Sequence, residues 1–550
     1  MPMTLDEAAD HLVRSDPRFA LSTAVIRGEA LPVFANAPMD IPALVAHGAA
    51  VRAPGEEFII YEDERVSYEE WRAEVGRLAA GLVARGVRPG ERVAIAMRNY
   101  PEYLTLIAGI AAAGAVSVLI NAWWTTEELE YGFSDSGAKL VFADGPRAER
   151  IRPFAAKHGL ELVAVRDAEP EGGLAYADLL ADEPLSSPPA IRPEDDFTIV
   201  YTSGSTGFPK GVALGHRGAT QAVWSWLMSV VIAPMLAPPP PGTPPRKEVS
   251  LCATPLFHVT ATHPLFLLSI GVGGKMVLMR KWSGEAAVEL IEREGVTRFL
   301  GVPTMTADIA LAAKRMGRVL PTLSNLGAGG AKRPGAQVAM QAEVFPAAAI
   351  TSGYGMTETN ALGTGIGGPD YAARPESAGR LYPGIQKIRI ADGQGRALPP
   401  NTLGEICLKS ATLMRGYLNK PEATAEAIRD GWLHTGDLGM LDEQGYLFIL
   451  DRMKNIIIRG GENISGLEIE GVLHKHPKII EAAAFSVPHE RLGEVVGAAL
   501  YVSGPVSAEE LSEFIGPQLA KFKNPERYWM KQEPLIRAAP AKSDRREIRA

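Results

Sequence analysis

Apolar positions along this chain recur with two periods. Between residues 56 and 170, stretches spaced for a helix alternate with short apolar runs spaced for strands. VSYEEWRAEVGRLAAGLVARG opens the series. Ser67 and Glu70 form a capping box there, and Val66 can staple onto Trp71. Trp71, Val75, Leu78, Ala79 and Leu82 then share one helical face. RVAIAM, AVSVLIN, KLVFAD and ELVAVRD read as strands, and RAERIRPFAAKHG as a helix between the last two. The pattern resumes after residue 196 with FTIVYTS, VSLCATP, KMVLMRK, RFLGVP, SNLGAGG and AITSGYG, with helices such as GEAAVELIEREG between several of them. This alternation predicts an α/β fold, in which parallel-rich sheets are covered by helices on both faces. Ligands of such sheets gather beyond the carboxyl ends of the strands. Here those ends carry Thr202-Ser203-Gly204, Pro255, Pro303, Gly329-Gly330 and Gly353-Tyr354-Gly355, small and polar residues that suit one crowded site.

The uncharged run LTLIAGIAAAGAVSVLI, residues 104–120, falls short of a bilayer span and breaks at Gly114, so it reads as a buried helix entering a buried strand. No transmembrane segment and no secretory leader are expected. LAPPPPGTPP, residues 236–245, reads as an exposed connector. From Gly431 on, the chain changes character, and DRMKNIIIRGGENISGLEIEGVLHKHP packs charged, glycine-rich and helical pieces close together. A boundary near Asp451–Lys454 therefore separates a large domain, residues 1–450, from a small α+β domain, residues 455–550. The first fifty or so residues follow no pattern that assigns them a role.

Composition changes this picture little. Among 550 residues, 46% are hydrophobic and 22% charged, which is ordinary for globular chains. A net charge of −8 argues against nucleic acid as a bulk partner. Two cysteines, Cys252 and Cys407, make neither a disulfide framework nor a cysteine metal site, and they suit a reducing cytoplasm. Nothing in the composition excludes a homodimer.

The densest chemistry lies in YTSGSTGFPKG, Tyr201 to Gly211, directly after an apolar strand. Glycines let a backbone approach phosphate oxygens, and the hydroxyls, N–H groups and Lys210 supply donors for an anion. It is not a Walker A loop: Pro209 stands where that pattern needs its second glycine, and Gly211 where it needs Ser or Thr.

This stretch resembles the signature loop of the adenylate-forming superfamily, which includes acyl-CoA synthetases, luciferases and peptide-synthetase adenylation domains. Tyr354-Gly355-Met356-Thr357-Glu358 resembles the family's Y-G-x-T-E, and Thr435-Gly436-Asp437 its T-G-D. Asp451-Arg452-Met453-Lys454 resembles its hinge stretch, and Gly461-Glu462-Asn463-Ile464 the G-E-N-I of acyl-CoA synthetases. Five motifs in order, over about residues 55–550, identify the chain as a member of the acyl-CoA synthetase branch.

The resemblance implies an acid–thiol ligase. A carboxylic acid and MgATP give an acyl-adenylate and pyrophosphate, and the acyl group then passes to CoA. It also implies roles for individual residues. Thr202, Ser203, Gly204, Ser205, Thr206, Gly207 and Lys210 would hold the β- and γ-phosphates, and Thr357 the α-phosphate. Glu358 would be the Mg²⁺ ligand. Asp437 would accept from the ribose hydroxyls with support from Arg452, and Gly329, Gly330, Ala331 and Tyr354 would flank adenine, with Gly355 and Met356 in the same motif. Trp226, His258, Val259, Gly301, Val302 and Gly353, with Trp224 nearby, would line the acyl site. Arg459, Gly460, Gly461 and Glu462 would meet the pantetheine arm, and Lys454 would sit in the hinge about which the small domain turns. Glu358, Thr202 and His258 would stand beside the reacting groups. A histidine at 258, where peptide-synthetase domains place an aspartate, disfavours an amino-acid substrate.

In the tail AAPAKSDRREIRA, Lys542 falls on the family's adenylation lysine, although Pro540 and Ala541 depart from the usual hydroxyl residue and glycine. Its charge would bridge the acyl carboxylate and the α-phosphate. The expected substrate is a fatty or similarly apolar acid. Alternatives are an aryl-acid–CoA ligase, an acyl-AMP ligase delivering to a carrier protein, a fold relative that binds without turnover and, remotely, a luciferase. Trp123 and Trp124, before the capped helix at Thr125, read as packing residues.

Overall fold

The capping box at Ser67 and Glu70 does start a helix, Tyr68–Ala84, and the face read from the sequence is the buried one. The computed structural model describes residues 3–171, 173–202, 209–238, 246–459, 462–535, 537–538 and 542–543; for Lys454, Asn463 and the last four it describes the backbone alone.

Two large sheets dominate. The first orders its eight strands Gly416–Tyr417, Lys210–Gly215, Asp196–Thr202, Val116–Leu119, Arg92–Ala96, Leu140–Ala143, Glu161–Ala164 and Leu174–Ala175. The second orders nine: Arg380–Leu381, Thr364–Gly367, Ala349–Tyr354, Asn325–Ala328, Arg298–Gly301, Val249–Cys252, Lys275–Leu278, Glu57–Tyr61 and Glu64–Ser67. Every apolar run read as a strand is one. Their neighbours pair in parallel through the middle of each sheet, but antiparallel strands border both. Those border strands follow tight returns of the chain or come from distant segments, and neither leaves a clear period in the sequence.

Helices packed between the sheets fill the largest core. Pro101–Ala112 is almost wholly buried and runs into Val116–Leu119 through Gly114 at φ +74°, as the uncharged run predicts. The helix His216–Leu236 went unread in the sequence. It is long and apolar enough to cross a bilayer, yet 61% of its most apolar window is buried inside the protein, which suits a core helix. Asn99 joins the two sheets at their carboxyl ends: its side-chain amide donates to the Thr254 carbonyl (3.0 Å) and its oxygen accepts from the Leu256 N–H (2.9 Å).

The first fifty residues form a helix, Leu5–Ser15, a hairpin, Leu21–Ile26 with Glu29–Phe34, and a second helix, Ile41–Ala50. They strap the core together. The Gln221 side chain pairs with both backbone groups of Phe34, and Trp224 donates to the Arg18 carbonyl. Arg27 donates to the Ser410 and Leu413 carbonyls. Trp224 is thereby tied to this strap by its indole N–H.

A third sheet holds Gln386–Ala391, Gly404–Ser410, Trp432–Leu441 and Ile428–Arg429, with Leu447–Arg452 paired to Trp432–Leu441. A fourth, Glu462–Ile464, Ile457–Arg459, Gly493–Val502 and Ile479–His489, with Arg527–Lys531 at its side, has its own apolar core around Ile469, Val496 and Leu500. The connector 239–245 lies outside the described residues.

Two core histidines are kept neutral. His263 donates from Nε2 to Asn360 Oδ1 and accepts the Thr262 hydroxyl at Nδ1, both at 2.9 Å; His216 accepts the Ile41 N–H at Nδ1 (3.2 Å). Burial holds each ring down to about 4 from 6.5. The stability these neutral rings confer is present above about pH 6.5 and lost as pH falls toward 4, about 3 kcal/mol for each ring. Urea unfolding should show that fall, and His263→Gln should make it shallower across the same pH range.

Candidate active site

The strand Asp196–Thr202 turns back as Lys210–Gly215, with Thr202 opposite Lys210. Ser203, Gly204, Ser205, Thr206 and Gly207 lie outside the described residues. The far side of that turn is ordered by a tyrosine that the motifs gave no sign of. Lys210 Nζ sits 4.7 Å from the centre of the Tyr417 ring, a cation–π contact. The Tyr417 hydroxyl donates to Glu358 Oε1 at 2.8 Å. Glu358 is 6% exposed, and burial raises its pKa against the opposing hydrogen bond from Tyr417 and the charge of Arg452. Its short helical turn, Thr357–Thr359, ends at Asn360 in the left-handed region, φ 55°. Gly355 is fixed by close approach: a Cβ there would stand 2.2 Å from the Ala361 carbonyl oxygen.

A second buried carboxylate lies alongside. Tyr354 donates to Asp437 Oδ2 at 2.7 Å, and Arg452 Nε stands 3.1 Å from Asp437 Oδ1. The turn that carries Asp437 is held by Glu405, which no motif pointed to either. Glu405 accepts the Gly436 N–H (3.1 Å) and the His434 Nδ1–H (2.7 Å). Gly436 takes φ +71°, so glycine suits the turn. The sequence suggests no cysteine metal site, and Glu405, Cys407 and His434 nonetheless converge, with candidate ligand atoms within 4.8 Å. Both partners address the same nitrogen, His434 Nδ1, and burial pushes the Cys407 thiol up to about 11. The trio is a closed hydrogen-bonded support for the Asp437 turn, with a thiol that stays protonated at neutral pH.

Gly329 follows the strand Asn325–Ala328 and Gly353 lies in the neighbouring Ala349–Tyr354; a Cβ on Gly329 would come 3.8 Å from the Gly353 carbonyl oxygen. Gly330 bends the chain at φ +76°, leading into Ala331. Trp226 is buried and meets Tyr382 edge-on, ring centres 6.5 Å apart. His258 stacks tilted on Phe257 at 4.6 Å and precedes the helical stretch Val259–Gly271. Gly301 ends the strand two places over from that of Tyr354, and Val302 follows it as the cap of the helix Pro303–Met316. Thr202, Lys210, Glu358, Tyr354, Asp437 and Arg452 are therefore assembled at one end of the two large sheets.

Of the C-terminal candidates, Arg459 and Glu462 are engaged with the small domain's own residues. Arg459 pairs with Glu526 at 2.7 Å inside the fourth sheet, and Glu462 is its backbone partner across a strand pair. Gly460 and Gly461 lie outside the described residues, as do the side chains of Lys454 and Lys542. The Lys454 backbone is in the short helical turn Met453–Asn455, and Lys542 pairs with Ala538 in a two-residue strand.

Family models match two parts of the chain: AMP-binding enzyme over residues 47–418 and AMP-binding enzyme C-terminal domain over residues 468–538. The chain belongs to the AMP-binding enzyme family. A feruloyl-CoA synthase from Amycolatopsis sp is 35% identical over 87% of this chain and 91% of its own. The fatty acid–[acyl-carrier-protein] ligase ScoC of Streptomyces coeruleorubidus is 32% identical over 91% and 94%. Among solved structures, the o-succinylbenzoate CoA synthetase of Bacillus subtilis with ATP and magnesium superposes at a TM-score of 0.79, with 29% identity over 92% of this chain and 99% of that one. This AMP-binding enzyme is an AMP-forming acyl-CoA synthetase that works with ATP, Mg²⁺ and CoA, and its α/β architecture is that of the adenylate-forming enzymes.

Tyr417 offers the sharpest check of the geometry. Tyr417→Phe keeps the ring under Lys210 but leaves the buried Glu358 carboxyl without its hydroxyl donor. It should lower the unfolding free energy by about 1–3 kcal/mol in a denaturant titration, and Tyr417→Ala by more.

Proposed function

We propose that the assembled end of the two sheets is the adenylation site and that its substrate is an apolar acid. The observation that carries this is the pair of buried carboxylates, Glu358 and Asp437, each held by a tyrosine hydroxyl beside the cations Lys210 and Arg452. Joining an acid to ATP brings two anions together, so the site must supply fixed cations and donors. Asp437 suits paired ribose hydroxyls. Lys210, Thr202, Thr357 and the loop 203–207 suit phosphate oxygens, and Gly329, Gly330 and Ala331 leave room for a flat base beside Tyr354. Glu358 fits a divalent cation, since burial disfavours its charge until a cation offsets it. Mg²⁺ bound there would offset phosphate charge as the acid approaches.

The acyl wall we assign to Trp226, His258, Val259, Gly301, Val302 and Gly353, with Tyr382 added. Trp226 and Tyr382 cross edge-on, and an aromatic pair at that wall suits a flat aryl acid. A Cβ on Gly365 would stand 2.5 Å from the Tyr382 hydroxyl, so glycine there lets Tyr382 take this place. The first sequence and structural relatives, which act on feruloyl and o-succinylbenzoate groups by name, support an aryl acid. ScoC keeps a fatty acid and a carrier-protein acceptor as the second reading.

The boundary at 451–454 we take as the hinge between residues 1–450 and 455–550. Turning there would bring Lys542 to the acyl carboxylate and, in another position, Arg459–Glu462 to the pantetheine arm. A cytoplasmic location suits ATP, CoA and two buried thiols. A homodimer is compatible with this reading and is not needed by it.

A panel of aryl-propenoic acids and fatty acids of increasing length, scored by AMP release with ATP and CoA, tests the substrate. The highest kcat/KM should fall on an aryl acid, and no AMP from any acid would sink the assignment. Lys542→Ala should reduce acid-dependent ATP–pyrophosphate exchange at least 100-fold yet still form thioester from supplied acyl-AMP.

A further inference from the structure

A buried polar link joins the acyl wall to the turn that carries Glu358, and no motif announces it. The helical stretch that begins at Val259 changes pitch at Thr262–Leu267, which is wound as a π-helix. Pro264, inside it, has no N–H for an α-helical ladder. Arg298, on the strand that ends at Gly301, donates to the Pro264 carbonyl at 2.8 Å and ties this stretch to the second sheet. Widened turns of this kind recur at functional sites. Within it lies His263, fully buried, with Nδ1 taken by the Thr262 hydroxyl and Nε2 donating to Asn360 Oδ1, both at 2.9 Å.

Several elements meet at Asn360. It ends the short helical turn Thr357–Thr359. Its Nδ2 donates to the Thr412 carbonyl at 2.7 Å, so both ends of the amide are used. From Thr412 the chain runs on to Met414, whose N–H donates to the Glu358 carbonyl at 2.8 Å, and to Tyr417, whose hydroxyl holds the Glu358 carboxyl. On another side, a Cβ on Gly218 would stand 2.6 Å from Asn360 Nδ2. The helix His216–Leu236, which carries Trp226, therefore comes this close to the amide because residue 218 is glycine.

The backbone is strained at the same point. Asn360 and Ala361 both take left-handed dihedrals, φ 55° and 63°. Asparagine visits this region more readily than alanine, and such a pair persists only where its surroundings hold it. His263, Asn360 and Thr412 are all fully buried, so water does not compete for their bonds. Removing one partner leaves the other buried with its hydrogen bond unmade.

We propose that His263 is a positioning residue: through Asn360 it sets the Glu358 turn against the helix of the acyl wall, so that a divalent cation at Glu358 and an acid at the wall keep a fixed separation. The proposal rests on Glu358 being the cation ligand. A histidine that only filled the core would serve stability alone and would leave cation affinity in the folded protein untouched.

The test reads Mn²⁺ affinity by electron paramagnetic resonance in the full-length protein with α,β-methylene-ATP, where no turnover occurs. The parent is compared with His263→Leu, His263→Gln, Asn360→Gly, the double variant of His263→Leu with Asn360→Gly, and Glu358→Gln. KM for the best acid of the panel is measured alongside. Asn360→Gly accepts the left-handed turn and deletes the amide, and it carries the test if His263→Leu does not fold. His263→Leu and Asn360→Gly should each weaken Mn²⁺ binding about fivefold or more and raise KM for the acid. His263→Gln still offers an N–H to Asn360 and should recover most of the affinity. The double variant should be no worse than Asn360→Gly alone, because that bond is already gone. Unchanged Mn²⁺ affinity in both single variants overturns the proposal, and so does a double variant in which the two losses add. Parent-like Mn²⁺ binding by Glu358→Gln overturns Glu358 as the cation ligand, a failure told apart because it shows with His263 intact.

Discussion

A carboxylate out of water keeps its charge only where donors reach it, and two such groups tie this molecule together. Tyr417, on the border of the first sheet, donates to Glu358, just past the second. Tyr354, at the end of the second, donates to Asp437 in the third. Two tyrosine–carboxylate hydrogen bonds thus lock three sheets in register. Removing a tyrosine would leave a buried acid as well as a broken contact, so the sheets can hardly shift relative to one another without a large penalty. That rigidity is what a reaction between two anions needs, because fixed dipoles act without rearranging at the moment of reaction.

The strands that build this frame were largely legible. Apolar runs ending in small residues are local features, and the parallel centre of each sheet followed from their alternation with helices. The border strands were not legible. Gly416–Tyr417 is two residues long and pairs with Lys210–Gly215 from two hundred residues away, so no local period announces it. Tyr417 and Glu405 were missed for the same reason: each acts on a motif residue through register, not through sequence proximity. The strap made by the first fifty residues was hidden because its contacts run to Gln221, Trp224, Ser410 and Leu413. Trp123 and Trp124 show how one reading covered two outcomes. Trp124 is 7% exposed and packs on Tyr201, as expected, whereas its neighbour is 38% exposed beneath Arg98.

Charge follows the same division. The chain is acidic overall, yet the carboxyl ends of the two large sheets gather Lys210, Arg98 and Arg280. Composition could exclude a bulk polyanionic partner and could not reveal these cations, because their placement is a product of topology. The two groups of cations are held differently. Near Thr202 and Tyr354, Arg452 pairs with the buried Asp437, and Lys210 lies against the Tyr417 ring. Farther along the sheets, Arg98 rests on a carbonyl and the Trp123 ring, and Arg280 on the Tyr100 hydroxyl, 3.8 Å from Asp167.

The boundary after the third sheet joins these ideas. Asp451 and Arg452 are adjacent but hold opposite sides. Asp451 Oδ2 accepts the Leu467 N–H at 3.1 Å and stands 3.3 Å from the Ser465 hydroxyl, at the start of the first helix past the boundary. Arg452 reaches back to Asp437. A rotation centred one residue later would carry the small domain with the Arg452–Asp437 pair intact, and would release Asp451 from Ser465 and Leu467, which move with that domain. A rotation centred at Arg452 would instead strip Asp437 of its cation and weaken the nucleotide end. The packing therefore favours a pivot on the C-terminal side of Arg452, which keeps Asp437 paired with its cation whichever way the small domain faces.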